Sequence, residues 1–247
     1  MTDRERLSGK VVAITGASSG IGAATARAFS AAGCRVVLAA RREDRLRSLA
    51  RELGEEDALT IPTDVTEPQS CEALVSRTIE HFGALDILVN NAGVGYYAPM
   101  TEADPEDWRA MFDVNVLGSL YPTRPAARYM KERGSGHVFF ISSISGRRVP
   151  TSQGAVYSAT KYAVGAIAEG LRLEVSPSGV RVTCVEPGLT RTEFPAGSNP
   201  DVEEFYRNRG YRPLEAEDIA AAIVYAASQP EYVNVGEVLL RSNEQTT

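Results

Sequence analysis

Three cysteines in 247 residues, none in a CxxC pair, exclude a disulfide framework and leave little for a thiolate metal centre. Cys34, Cys71 and Cys184 lie far apart and read as small buried hydrophobes, in keeping with a reducing, cytoplasmic setting. No apolar run reaches membrane-spanning length, and the polar opening MTDRERLSGK lacks the apolar core of a secretion signal. Excess positive charge is also missing. The net charge is −6, and the densest basic run, Arg41, Arg42, Arg45 and Arg47, is interrupted by Glu43 and Asp44, so neither nucleic acid nor a membrane surface is an expected partner. Low-complexity linkers and short-period repeats are absent as well. What remains is a chain with 43% hydrophobic and 23% charged residues, long enough to bury its own core as one domain spanning 1–247.

Short β-rich runs alternate with longer helical patterns. The strand candidates are Lys10–Thr15, Arg35–Ala40, Ala58–Pro62, Leu85–Asn90, His137–Ser142, Val180–Glu186 and Glu237–Leu240. Several are almost continuously apolar, the pattern of strands covered on both faces. Intervening helical stretches such as GAATARAFSAAG and QSCEALVSRTIEHFG end in glycine, a common helix stop. The expected fold is therefore α/β, a doubly wound Rossmann-type parallel sheet of about seven strands with helices on both faces. A single long helix is expected over Pro105–Arg133, kinked or restarted at Pro122 and Pro125, because each proline lacks an N–H and crowds the preceding turn. Residues 188–212 lack periodicity and carry prolines and glycines; they are the expected substrate lid.

The first strand runs into TGASSGIG, Thr15–Gly22. Glycines here permit a tight turn and close approach of backbone N–H groups to a pyrophosphate, with a helix N-terminus aimed at the same place. Gly16, Ser18, Ser19, Gly20, Ile21 and Gly22 are the candidate cradle, although the GxxxGxG spacing taken alone is also that of a simple packing turn. At the end of the second strand, where an acidic residue would accept from ribose hydroxyls, the chain has Ala40 and then Arg41. A guanidinium can bind a 2′-phosphate bidentately, which favours NADP(H) over NAD(H); the alternative is that Arg41 and Arg42 only begin a solvated helix. Asp64 can accept from an adenine amino group or cap the next helix.

Tyr157 and Lys161, four residues apart on a helix, share one face. A free phenol is a weak base at neutral pH, and a neighbouring cation favours the phenolate; bringing the group near neutrality takes about 4 kcal/mol, expected from the lysine together with an oxidised nicotinamide in a sheltered site. Such a phenol can exchange a proton with a substrate oxygen. Ser143, just past the fifth strand, can orient the same oxygen, with Ser142 and Ser145 as alternative hydroxyls.

The segments TGASSGIG, Asp64–Val65, NNAG at Asn90–Gly93, Asn115 in DVNVLG, ISS at Ile141–Ser143, YSATK and Pro187–Gly188 together resemble the short-chain dehydrogenase/reductase family of single-domain type. That resemblance implies a Ser143, Tyr157, Lys161 and Asn115 tetrad, with Asn115 bending a helix to continue a proton path from Lys161. It also implies that Val65, Asn90, Ala92 and Gly93 line the nucleotide, and that Lys161 holds the nicotinamide ribose. Pro187 and Gly188 would pass beside the nicotinamide, and Thr190 or Thr192 would bond its carboxamide. The family further implies a dimer or tetramer. The ARR, VEPG and C-terminal segments are similar to a subgroup acting on 3-hydroxy acids such as serine or reducing aldehydes such as clavulanate-9-aldehyde. Tyr96 and Tyr97, in GVGYYAPM, are the expected substrate contacts beside Ser143 and Tyr157. The expected activity is interconversion of a small carbonyl compound and its alcohol. The rival expectations are a non-catalytic dinucleotide sensor and, less fitting for so short a chain, an epimerase or dehydratase.

Overall fold

Apolar side chains alternate between the two faces of every inner strand, so each strand needs a cover on both sides. In the computed structural model, which describes residues 3–194 and 210–245, Val12 and Ile14 of β1 (Val11–Thr15) enter one core while Val11 and Ala13 enter the other. Val36 and Leu38 of β2 (Arg35–Ala40) likewise oppose Val37 and Ala39. With β3 (Ala58–Pro62), β4 (Ile87–Asn90), β5 (Gly136–Ile141), β6 (Val180–Pro187) and, after a short pair β7 (Thr190–Arg191) and β8 (Leu214–Glu215), β9 (Glu237–Leu240), they form a seven-stranded sheet of order β3-β2-β1-β4-β5-β6-β9. Every pairing in it is parallel.

The covers follow from helix periodicity. The first element, α1 (Asp3–Leu7), is one short turn. Buried residues of α2 (Gly20–Ala31) and α3 (Glu43–Leu53) fill one core together with those of the helix Ala216–Ala227. Those of α4 (Pro68–Phe82), α6 (Gly118–Arg133) and α7 (Ala155–Val175) fill the other. Between α4 and α6 lies α5 (Pro105–Phe112), and the helix Ala216–Ala227 is α8. The architecture is thus the doubly wound Rossmann-type sandwich. Its strand order reverses between β1 and β4, which opens a crevice beyond their carboxyl ends.

One expectation is corrected. The chain does not break at Pro122 and Pro125; α6 runs through both. The irregularity lies earlier, where Asp113–Leu117 widens into a π-helical turn around Asn115. The amide of Asn115 is drawn into bonds with a neighbouring loop, while Gly118 presses against Val65, so tertiary contacts rather than proline sterics place the irregularity. The three cysteines are free and buried, and burial pushes their thiols up to about 12. Among the described residues no helix is long and apolar enough to cross a membrane, and no cluster of His, Cys, Asp and Glu could hold a metal ion. Of the expected lid, residues 195–209 lie outside the described residues.

Candidate active site

The crevice starts at the turn after β1. Gly16 sits at φ +67, a region that favours glycine, and a Cβ there would lie 2.9 Å from the backbone of Ala92. At Gly22 a Cβ would run into the Gly16 carbonyl oxygen. The turn is therefore packed too tightly for any side chain at these two points. Asn91 seals it to β4: its Nδ2 donates to the carbonyls of Thr15 (2.9 Å) and Gly16 (3.3 Å). The open N-terminus of α2, where Ser19 makes no side-chain cap, fits a phosphate group.

The polar side chains around that turn are not all those expected. Arg42 donates from Nε (3.0 Å) and Nη2 (2.8 Å) to the Ser18 hydroxyl and from Nη2 to that of Ser19 (2.6 Å). Arg41 instead lies within electrostatic range of Asp64. Both arginines lie beyond β2, and Arg42 is the N-cap of α3, so the turn from strand into helix sets which guanidinium meets the glycine turn. Asp64 accepts from the N–H (3.0 Å) and hydroxyl (2.7 Å) of Thr66, so its carboxylate shapes the turn ahead of α4; burial pushes its pKa up, but these bonds and Arg41 outweigh that and hold it below the ordinary value. Three expected nucleotide contacts point their side chains elsewhere. Ile21 packs toward Ala216 and Ala220 of α8, Val65 wedges against Gly118, and buried Asn90 donates to the Thr123 hydroxyl at 2.8 Å. Ile21 and Val65 are thus packed against apolar neighbours, and Asn90 spends its Nδ2 on Thr123 while its buried Oδ1 has no partner.

Some 20 residues of chain after β5 build the second half of the site. Ser143 caps a single 3-10 turn, accepting from the Ser145 N–H at 3.1 Å. Ser142 is buried and donates to the Lys161 carbonyl, and Ser145 is also buried, so Ser143 is the hydroxyl left at the surface of the cleft. Tyr157 and Lys161 stand one turn apart at the start of α7. The phenol is hydrogen-bonded to Ser143. Lys161 Nζ donates to the Ile141 carbonyl at 2.9 Å and lies 5.7 Å from the Tyr157 ring centroid. Asn115 reaches the same cluster from the π turn: it exchanges two hydrogen bonds with the Val94 backbone (2.8 and 2.9 Å) and donates to the Thr160 hydroxyl at 3.1 Å, which in turn donates to the Tyr157 carbonyl. Gly93 leaves room here. A Cβ on it would sit 3.3 Å from Asn115 Oδ1 and 3.7 Å from Lys161 Nζ.

Burial dominates the electrostatics. It pushes the Tyr157 phenol up to about 12, with the Ser143 hydrogen bond pulling the other way. It also pushes the Lys161 ammonium down to about 8. Lys161 by itself does not lower the Tyr157 phenol, whereas the expected lowering is that of the lysine together with an oxidised nicotinamide. The ammonium is spent on a carbonyl and sees the face of the ring, while desolvation penalises the phenolate directly.

Aromatic rings close the remaining side. Tyr97 and Phe194 place their centroids 5.5 and 5.7 Å from that of Tyr157. For Tyr96 the contact is through its backbone, whose N–H points at Met111 Sδ at 3.5 Å. The segment after β6 crosses above: Gly188 N–H donates to the Leu240 carbonyl, and Ser143 donates a long bond (3.4 Å) to the Pro187 carbonyl. Thr190 bonds its own turn, and Thr192 presses on the glycine turn, 3.1 Å from where a Gly20 Cβ would be. Sequence reasoning did not single out Asn91, Glu193 or Phe194, and it ranked Arg41 above Arg42. The repeated arginine in ARRED was the available signal.

A family model described as short chain dehydrogenase matches residues 10–203. An uncharacterized oxidoreductase of Staphylococcus aureus (strain MRSA252) is 40% identical over 235 residues, 95% of this chain and 98% of that protein. Another uncharacterized oxidoreductase, from Staphylococcus haemolyticus, is 43% identical over the same shares. Among solved structures, the closed form of a serine dehydrogenase complexed with NADP+ superposes with a TM-score of 0.91 at 33% identity, covering 96% of each chain. An alcohol dehydrogenase from the archaeon Thermococcus sibiricus complexed with 5-hydroxy-NADP gives 0.86 at 32% identity, covering 96% of this chain and 98% of that one.

Proposed function

The chain belongs to the short-chain dehydrogenase family, and on that footing we propose that it is an oxidoreductase interconverting a small aldehyde or ketone and its alcohol with NADP(H). The observation that supports this most is the convergence of Ser143, Tyr157, Lys161 and Asn115 at the carboxyl ends of the strands, beside a turn shaped for a phosphate. A bound nicotinamide supplies or accepts the hydride and, when oxidised, adds a positive charge that favours the phenolate. The protein's own part is to hold the oxygen and move the proton. Ser143 orients the substrate oxygen. Tyr157, protonated at neutral pH and pushed further up by burial, is set to donate to an oxygen gaining negative charge, which suits carbonyl reduction. Lys161 can restore the proton, since burial brings its ammonium to about 8, and Asn115 orients the Thr160–Tyr157 end of the helix. Tyr97 lies against the phenol ring and helps to keep water from it.

Ser18, Ser19 and Arg42 hold the phosphates, with Gly16, Gly20 and Gly22 giving backbone access, Arg41 and Asp64 at the adenosine side, and Ala92, Gly93, Pro187, Gly188, Thr190 and Thr192 along the nicotinamide side. The likeness to serine dehydrogenase favours a small hydroxy acid as one substrate class. We also assign a dimer or tetramer in solution and a cytoplasmic setting. The test is Tyr157→Phe with a panel of aldehydes, ketones and hydroxy acids, following the absorbance of the reduced nicotinamide. Turnover should fall by roughly a hundred- to ten-thousandfold while NADPH still binds. A variant that retains full activity overturns the assignment, and a wild-type protein that turns over nothing in a broad panel returns the dinucleotide sensor to first place.

A further inference from the structure

Glu193 is absent from the proton chemistry above, yet it makes the densest set of ionic contacts around the glycine turn. Its carboxylate takes Arg42 Nη1 at 3.1 Å and Arg45 Nη1 at 2.8 and 2.7 Å through its two oxygens. The same Arg42 reaches Ser18 and Ser19. Two guanidiniums converging on one acidic group, one of them held by two serine hydroxyls, is recognition chemistry that suits a phosphate dianion, and here a carboxylate of the protein fills it. Burial pushes the Glu193 carboxyl up, but the bonds from Arg45 and Arg42 outweigh that and hold it below its ordinary value. The next residue, Phe194, lies against the Tyr157 ring, and a Cβ on Gly95 would meet its ring edge at 2.7 Å. One peptide therefore joins a carboxylate on the phosphate side to a ring on the chemical side.

We propose that Glu193 determines coenzyme specificity by competing with the 2′-phosphate for Arg42 and Arg45, so that a phosphorylated dinucleotide displaces it and draws Phe194 off Tyr157. This rests on the NADP(H) reading. A dinucleotide without the 2′-phosphate leaves the carboxylate in place and the phenol covered. All three charged side chains are about half exposed, so solvent screens the contacts and the competition is worth a moderate factor.

The experiment measures binding of NADPH, NADH and adenosine 2′,5′-bisphosphate by titration calorimetry to the wild-type protein, Glu193→Gln and Arg42→Ala. Glu193→Gln should bind NADPH and the bisphosphate about three- to tenfold tighter and NADH unchanged within about twofold. In hydrogen-exchange mass spectrometry, the bisphosphate should raise exchange at 190–194 in the wild type, and Glu193→Gln should show that higher exchange without it. Unchanged or weaker NADPH binding, or an equal gain for NADH, overturns the inference while leaving NADP(H) use intact if Arg42→Ala still weakens NADPH selectively. If the wild type does not prefer NADPH and Arg42→Ala affects neither dinucleotide, the NADP(H) reading falls and this inference falls with it.

Discussion

Replacing Lys161 by methionine removes a fully buried ammonium while keeping most of the stem that packs beside Tyr157. Burial moves the amine from its ordinary 10.5 to about 8. At neutral pH the folded protein therefore carries a charge that it holds less well than the unfolded chain does, at a cost of roughly 3 kcal/mol. Loss of the bond to the Ile141 carbonyl returns about 1 kcal/mol. The variant should thus be about 2 kcal/mol more stable at pH 7, and melt roughly 4–8 °C higher in a chain of this size. The sign of the pH dependence is the sharper check. A depressed amine pKa means that the unfolded chain binds more protons between 8 and 10.5, so wild-type stability rises with pH across that window. The methionine variant lacks this gain, and its advantage should shrink by about 1.4 kcal/mol per pH unit above 8 and vanish near pH 9.5. Urea unfolding at matched protein concentrations and pH 7, 8, 9 and 9.5 measures it. A difference that stays constant over this range, or a variant less stable than the wild type at every pH, refutes burial as the source of the lysine's behaviour. The same variant should lose turnover, which would make Lys161 a residue kept for chemistry at the expense of stability.

Gly22→Ala forces a methyl group into the Gly16 carbonyl, and should cost about 1–3 kcal/mol, lower the melting temperature by roughly 2–12 °C, and weaken NADPH binding in calorimetry. Arg147→Met strips the partner from Glu186, which is 3% exposed and accepts two bonds from the arginine at 2.8 and 2.9 Å. Because the arginine side is 44% exposed, water relieves part of the loss, and about 1–3 kcal/mol is expected in urea unfolding. Adding Glu186→Gln should recover most of it; a double variant no better than the single one removes the ion pair as the cause.

Most of the fold was legible because its determinants are local. Near-continuous apolar runs such as VVAIT and RVVLAA can only be strands covered on both faces, and the glycine stops after them delimit the helices. The helical span Pro105–Arg133 and a bend at Asn115 were expected, but the break was misplaced to the prolines, whose strong local signature is overridden here, while the π turn at Asn115 is fixed by Val94 and Thr160, which are distant in sequence. At the site, Ser143, Tyr157 and Lys161 were readable from spacing along one loop and one helix. Arg42 was not separable from Arg41, since only the folded turn from β2 into α3 decides which guanidinium faces the glycine turn. Asn90 and Val65 illustrate the same gap. The family resemblance puts them at the nucleotide, but contacts with α6 take the Val65 side chain and the Asn90 amide nitrogen.

By itself, the order of residues determined the alternation of strand and helix, the tight turn of Gly16–Gly22, and the pairing of a phenol with an ammonium one helical turn later. Those properties depend on neighbours within a few positions, where chain geometry alone dictates what can meet. Tertiary structure alone decided that burial pushes the phenol further up and the Lys161 ammonium down, and that Glu193 meets Arg42 and Arg45. Charge states and long-range contacts depend on how much water the assembled core excludes and on which distant groups it brings together, and neither quantity exists until the sheet and its helices have closed.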